Sequence, residues 1–255
     1  VNCNTYLKFD HLIQKMNELE CDYLATGHYA RIEKIGEEYR LVSSEDGWKD
    51  QTYFLFTLDP AILSKLMFPV GGVTKPEVRG MAEKMGLGVA KKKDSTGICF
   101  IGKAGHAAFI EERVAPELLK KGYLRRFPDG EILGKHDGIH QFTYGQRKGL
   151  GIATGEPAYV IKVDTDGTVW LGPESALYSN RLKFRRANWL TNVQDGDEFT
   201  VKIRFQHKGA KGRLFHAKES EDFEVEFDEP QRAITPGQAA VLYRDRELIG
   251  GGWIA

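Results

Sequence analysis

The sequence has little sulfur: its 255 residues include three cysteines and four methionines. Three thiols, an odd number with no close pairing, exclude the disulfide framework that holds small secreted domains together. No apolar run approaches the roughly 18 residues of a membrane-spanning helix and no signal-like N-terminus is visible, so the expected partners exclude a membrane and the expected location is the cytoplasm. Net charge is absent too, since 36 Lys+Arg balance 36 Asp+Glu. Any attraction for a polyanion must therefore come from segregated charge. Neither an internal repeat nor a low-complexity segment is present, and the length allows a substantial core and two or three domains.

Segregated charge is there. From Arg181 to Arg213 nine Lys/Arg stand against three acids, and from Glu219 to Glu229 seven acids stand with no base. Two of the cysteines occupy polar settings where a thiol is accessible and can shift toward thiolate: Cys3 in Asn-Cys-Asn-Thr-Tyr-Leu-Lys-Phe, and Cys99 in Asp94-Ser-Thr-Gly-Ile-Cys-Phe-Ile-Gly102, preceded by Lys91-Lys-Lys93. Two reactive thiols permit sulfur transfer, although on their own they read more readily as structural or incidental cysteines, free Cys being among the most buried residue types. Cys21, beside Asp22 at a helix–strand junction, reads as structural.

Periodicity gives the elements. Phe9, Leu12, Ile13, Met16 and Leu19 recur at helical spacing, and Tyr23 to Ala25 reads as a short strand running into the loop Thr26-Gly-His-Tyr29. A helix, a strand and a polar glycine loop form one unit of an α/β sheet, whose ligands gather at strand carboxyl ends. A hairpin follows (31–35 and 39–42), then a helix start at Lys49-Asp-Gln-Thr-Tyr-Phe-Leu-Phe. Thr74-Lys-Pro-Glu77 is a capping box with Pro in the first turn, opening a helix that ends near Gly86, and 106–114 suits a short helix. Strands are expected over 159–163, 169–172, 199–206, 223–227, 239–243 and 248–254, which predicts a small antiparallel barrel or sandwich. The segment Lys202-Ile-Arg-Phe-Gln-His-Lys208 alternates basic and apolar residues as one of these strands.

Seven motifs then occur in order: Cys-Asn-x-x-x-Lys-Phe (3–9), Ala-Thr-Gly-His-Tyr-Ala-Arg (25–31), Lys-Asp-Gln-x-Tyr-Phe-Leu (49–55), Thr-Lys-x-Glu-Val-Arg (74–79), Asp-Ser-Thr-Gly-Ile-Cys-Phe-Ile-Gly (94–102), Tyr-Gly-Gln-Arg-Lys-Gly-Leu-Gly (144–151) and Thr-Pro-Gly-Gln-x-Ala-Val-x-Tyr (235–243). Together they resemble the tRNA-specific 2-thiouridylases. The resemblance implies α/β plus all-β architecture: the C-terminal part of a PP-loop (adenine nucleotide hydrolase-like) α/β domain over 1–102, a small central domain over 103–172 and a C-terminal antiparallel β-barrel over 173–255.

It also implies a chemistry and its residues. The wobble uridine of tRNA exchanges O2 for sulfur, with ATP, accompanied by Mg2+, adenylating the oxygen so that it leaves as AMP. Cys99 carries the sulfur as a persulfide received from a donor protein, and Cys3 is the nucleophile that releases it through a transient disulfide. Gly27 is placed at ATP. His28, Lys49, Asp50, Gln51, Arg204, Phe205 and Gln238 are placed at tRNA, with Phe205 standing where relatives commonly have Tyr. Read without the family, Gly27 merely lets the chain turn, His28 is an ordinary loop histidine and residues 49–51 are a solvated helix start. An Arg beside an aromatic nevertheless suits phosphate contact plus base stacking.

The family's nucleotide loop, Ser-Gly-Gly-x-Asp-Ser, does not occur in the sequence; Val70-Gly-Gly-Val-Thr74 imitates it only superficially. A chain shortened at its N-terminus is expected on this ground, with weak ATP binding as written. The alternative class is an RNA-binding module without catalysis, built from the central and barrel domains beside an inert remnant of the catalytic one.

Overall fold

A computed structural model describes the chain except residues 2, 93–100, 102–104, 154 and 218–220, and the side chains of 3, 6 and 7. The chain forms two compact units, Val1–Lys92 with Asn180–Pro230 and Thr235–Ala255, and Lys93–Ser179 with Gln231–Ile234.

In the first unit a π-helical segment, Cys3–Asp10, runs into α1 (His11–Glu18). The expected apolar face is used: Phe9 and Met16 are buried, and Ile13 packs on the same core. The helix stops at Leu19 and Glu20, the latter at φ 54°. Then β1 (Leu24–Ala25) pairs in parallel with β4 (Leu66–Met67), the α/β pairing expected of this region. Between them lie β2 (Ala30–Ile35) and β3 (Glu38–Ser43), a hairpin closed by a two-residue turn with Gly36 at φ 62°. The helix expected from Lys49 is only a single 3-10 turn, Thr52–Phe54. Its residues are held by aromatic and polar contacts to the barrel, described below, and not by an amphipathic helical face. The capping box does open α2 (Lys75–Lys84), with the Glu77 carboxylate accepting from the Thr74 N–H at 2.7 Å. Those bonds hold the Glu77 carboxyl below its ordinary pKa.

The second unit carries α3 (Gly105–Glu111) and a four-stranded sheet of β5 (Gly122–Arg126), β6 (Ile132–His136), β7 (Tyr159–Val163) and β8 (Val169–Gly172) in the order β6-β5-β8-β7, with β5 and β8 parallel. Leu124, Val160, Val169 and Leu171 form its core. The backbones of Gly122 and Gly167 meet so closely that a Cβ on Gly122 would stand 2.0 Å from the Gly167 oxygen. Only glycine fits.

The barrel belongs to the first unit. Its strands are β9 (Tyr178–Trp189), β10 (Glu198–Lys202), β11 (Ala210–His216), β12 (Phe223–Arg232), β13 (Ala239–Arg244) and β14 (Glu247–Ile254). In the order β13-β10-β11-β12-β9-β14, with β13 returning to β14, they close a six-stranded antiparallel barrel. Closure removes the exposed sheet edge. The strand expected over 199–206 ends at Lys202, so Arg204 and Phe205 lie in a bend and turn beyond it, where the His207 N–H bonds to the Arg204 carbonyl. The alternation of 202–208 is therefore not strand alternation.

The sheet does not stop at the barrel. The β2–β3 hairpin joins it through β14, with Glu247 opposite Val42. One core results, in which Phe9, Leu41, Leu55, Phe56 and Leu66 pack with Val241, Tyr243 and Leu248. Asn188 on β9 seals the joint by donating to the carbonyls of Phe56 (2.7 Å) and Leu58 (2.8 Å). Arg40 of β3 likewise reaches Glu247 at 2.9 Å.

Candidate functional site

Two of the sequence motifs come together at the end of β1. The Gln51 side chain accepts from the Tyr29 N–H at 2.9 Å, and the Gln51 N–H returns a bond to the Tyr29 carbonyl at 2.8 Å. This reciprocal clasp sets Gly27 and His28 beside Lys49, Asp50 and Gln51. Gly27 is exposed, and a Cβ there would meet nothing within 4 Å, so its backbone faces open space.

His28, next to it, is buried. Its ring packs against Phe9 and Phe68, centroids 5.5 and 5.9 Å away, and its Nδ1 lies 2.8 Å from the Thr26 hydroxyl. Burial, with a smaller push from the positive Lys8, lowers its pKa to about 4. At neutral pH it is an uncharged ring that can bond or stack, and it offers no cation to a phosphate.

Asp50 is buried as well, and its carboxylate is engaged by the Ser44 N–H (2.9 Å) and the Thr52 hydroxyl (2.6 Å). The Thr52 oxygen lies 3.2 Å from the phenol of Tyr243 on β13. Complete burial raises the Tyr243 pKa, and the nearby Asp50 charge raises it further. Of the stretch 49–51, Asp50 is buried and Lys49 and Gln51 are half-buried.

Tyr53 links this loop to the barrel residues. Its hydroxyl donates to the Ala239 carbonyl at 3.0 Å, adjacent to the exposed Gln238. Its ring stands 6.2 Å from Phe205, whose own ring lies 4.5 Å from Phe54. Phe205 keeps 39% of its surface exposed, so one side is packed and the other is open. Burial pushes the Tyr53 phenol up to about 12, opposed by its bond to Ala239 and by the charge of Arg204. Thus Phe205 lies against this tyrosine, the charge of Arg204 acts on it, and Gln238 adjoins the residue whose carbonyl it bonds, although all three are distant in sequence from 49–51. The motif Lys-Asp-Gln-x-Tyr-Phe-Leu contains Tyr53 and Phe54 without marking a role for them; their position one residue beyond Lys-Asp-Gln is the available signal.

Cys3 opens the π-helical segment, its side chain outside the described residues, and Cys99 lies outside them altogether. Lys91 and Lys92, just before it, are exposed. Along the barrel, the basic stretch from 181 to 213 proves to be partly paired with the acidic one: Lys183 meets Glu224 at 3.1 Å and Arg181 meets Glu226 at 3.5 Å, while Arg213 meets Glu198 at 2.7 Å. Exposed pairs of this kind are screened by water and leave the cations able to exchange partners.

Comparison with known proteins bears on the whole chain. It is 43% identical over 255 residues to the tRNA-specific 2-thiouridylase MnmA of Acidithiobacillus ferrooxidans, covering 99% of this chain and 72% of that protein. The MnmA proteins of Solibacter usitatus and Geotalea uraniireducens are also 43% identical, with 71% and 68% of their lengths covered. The chain belongs to the tRNA-specific 2-thiouridylase family. Three domain models match the chain in succession: the tRNA methyl transferase HUP domain over residues 1–103, the tRNA methyl transferase PRC-barrel domain over 107–173 and the aminomethyltransferase β-barrel domain over 179–254. Among the described residues, no helix is long and apolar enough to cross a membrane.

Proposed function

We propose that this protein 2-thiolates uridine in tRNA. The observation that carries the reading is the match to MnmA proteins along essentially the full chain, with both cysteine motifs present. Two of the matching domain descriptions speak of methyl transfer. The paired cysteines favour sulfur chemistry, because a persulfide carrier and a thiol that relieves it are what sulfur transfer requires.

In the proposed sequence the wobble uridine's C2 oxygen attacks the α-phosphate of Mg2+-bound ATP and pyrophosphate leaves. A donor protein loads Cys99 as a persulfide, whose terminal sulfur attacks C2. The Cys3 thiolate attacks the Cys99 Sγ, the S–S bond breaks with its electron pair remaining on the sulfur bound to C2, and AMP departs with the original oxygen. A Cys3–Cys99 disulfide remains, and an external thiol reductant resets it. Gly27 offers open backbone for nucleotide approach. Lys49, Arg204, Phe205 and Gln238 form the tRNA surface, and the buried Asp50 and the buried, neutral His28, with Gln51, act by holding the loops behind it.

The test is nucleoside analysis of tRNA after incubation with the product of the full reading frame, ATP and a persulfide-loaded donor. Appearance of 2-thiouridine is the expected result. Tight tRNA binding with no 2-thiouridine under any donor would favour the non-catalytic RNA-binding module.

A further inference from the structure

Among the described residues of the first unit, the most exposed large apolar side chain is Trp48, with 94% of its surface in solvent. Trp170, Trp189 and Trp253 are all partly buried. An indole is an expensive group to leave in water, and its large flat face is a strong stacking surface.

The backbone that carries it is not loose. Asp46 organises the loop with three acceptor atoms: Oδ1 takes the Trp48 N–H at 3.1 Å, Oδ2 takes the Lys75 N–H at the start of α2 at 2.9 Å, and its carbonyl takes the Lys49 N–H at 3.0 Å and the Ser44 hydroxyl at 2.8 Å. A further strap joins the Glu45 N–H to the Gly71 carbonyl at 2.8 Å. The loop thus holds the Trp48 Cα in place while its ring meets solvent.

The surroundings are suited to a nucleic acid. Lys49 is the next residue, and Arg31 and Arg246 converge on the Glu45 carboxylate at 3.8 and 3.3 Å. The Glu45 carboxylate is paired with these arginines and the Asp46 carboxylate is turned to backbone donors of the loop and of α2.

We infer that Trp48 is a stacking platform for an unpaired base of tRNA, held by its Asp46-centred loop beside Lys49, which meets the adjoining phosphate. This deepens the proposed function and rests on tRNA being the substrate. Base–aromatic stacking tolerates any base, so the contact would fix the RNA's position without reading its sequence.

The experiment is a tRNA titration without ATP or sulfur donor, so that its outcome does not depend on thiolation. Indole fluorescence is recorded for the wild type and for Trp48→Phe, which supplies the signal of the three other tryptophans. The expected result is quenching by tRNA that disappears in Trp48→Phe. Trp48→Ala should weaken tRNA binding about 5- to 150-fold, with the slope of log K against log salt unchanged, and Trp48→Phe should recover most of that loss. Wild-type affinity in Trp48→Ala overturns the inference, as does weakened binding without quenching. Quenching in a protein that never forms 2-thiouridine would support the stacking surface and reject the enzymatic reading alone.

Discussion

The hydroxyl of Thr52 stands between the carboxylate of Asp50, 2.6 Å away, and the phenol of Tyr243, 3.2 Å away and 191 residues later in the chain. With the threonine proton given to Asp50, the phenol donates to the threonine oxygen. A short chain of donors thus runs from β13 into the loop that carries Lys49.

Thr52→Val removes the middle of this chain and leaves two buried polar groups short of a partner. The expected cost is about 1–3 kcal/mol, read as a lower denaturation midpoint at unchanged m-value. Wild-type stability in this variant would show the network to be energetically idle.

Cys3→Ser and Cys99→Ser should each abolish thiolation and leave tRNA affinity nearly as it was. Cys21 is exposed, its thiol only 3.7 Å from the Leu19 carbonyl, and Cys21→Ser should thiolate normally. Nucleoside analysis separates the three; thiolation surviving in Cys99→Ser would remove the sulfur carrier from the proposal.

Arg204 and Phe205 should part company in a salt series. If about four to six phosphates are contacted, log K falls against log salt with a slope of roughly 3 to 5, and Arg204→Ala reduces it by about 1. Phe205→Ala should cost about 1–3 kcal/mol at constant slope, because it removes the open ring face and no charge. Identical binding by both variants and wild type at every salt concentration would make this part of the barrel purely structural.

His28 predicts a pH dependence. Its folded pKa, about 4, is below the unfolded value of 6.5, so between those pH values the unfolded chain binds more protons. Its share of stability is present above pH 6.5 and is lost as pH falls toward 4, by up to about 3 kcal/mol. His28→Gln should flatten that part of the stability profile; an unchanged profile would place the titration elsewhere.

Several of these relationships could be read from the sequence and several could not. The capping box at Thr74 and the strands with apolar runs, such as Tyr159–Val163 and Ala239–Arg244, declare themselves locally. The longest strand, β9, does not, because only Leu182 and Phe184 among its first nine residues are buried and the rest read as a cationic patch. The β11 strand hides in the same way, with Lys211 and Arg213 between its inward residues. Arg204 and Phe205 show the converse failure: they alternate like a strand but lie past its end. At the candidate site, the motifs single out His28 and Lys49–Gln51, yet nothing local distinguishes the inward Asp50 from the outward Trp48. That distinction depends on Ser44, Thr52 and Tyr243, brought together by tertiary folding.

The pairing of Glu247 with Val42 sets a limit on modular engineering. A barrel transplanted into another enzyme as residues 179–254 would leave behind the hairpin that extends its sheet and the aromatic and aliphatic partners of Val241, Tyr243 and Leu248. Its inherited surface would be an adhesive face in the new host. A chimera that carries residues 30–58 along with the barrel keeps those contacts, so the unit exchanged between relatives in the laboratory is better cut by contact than by chain order.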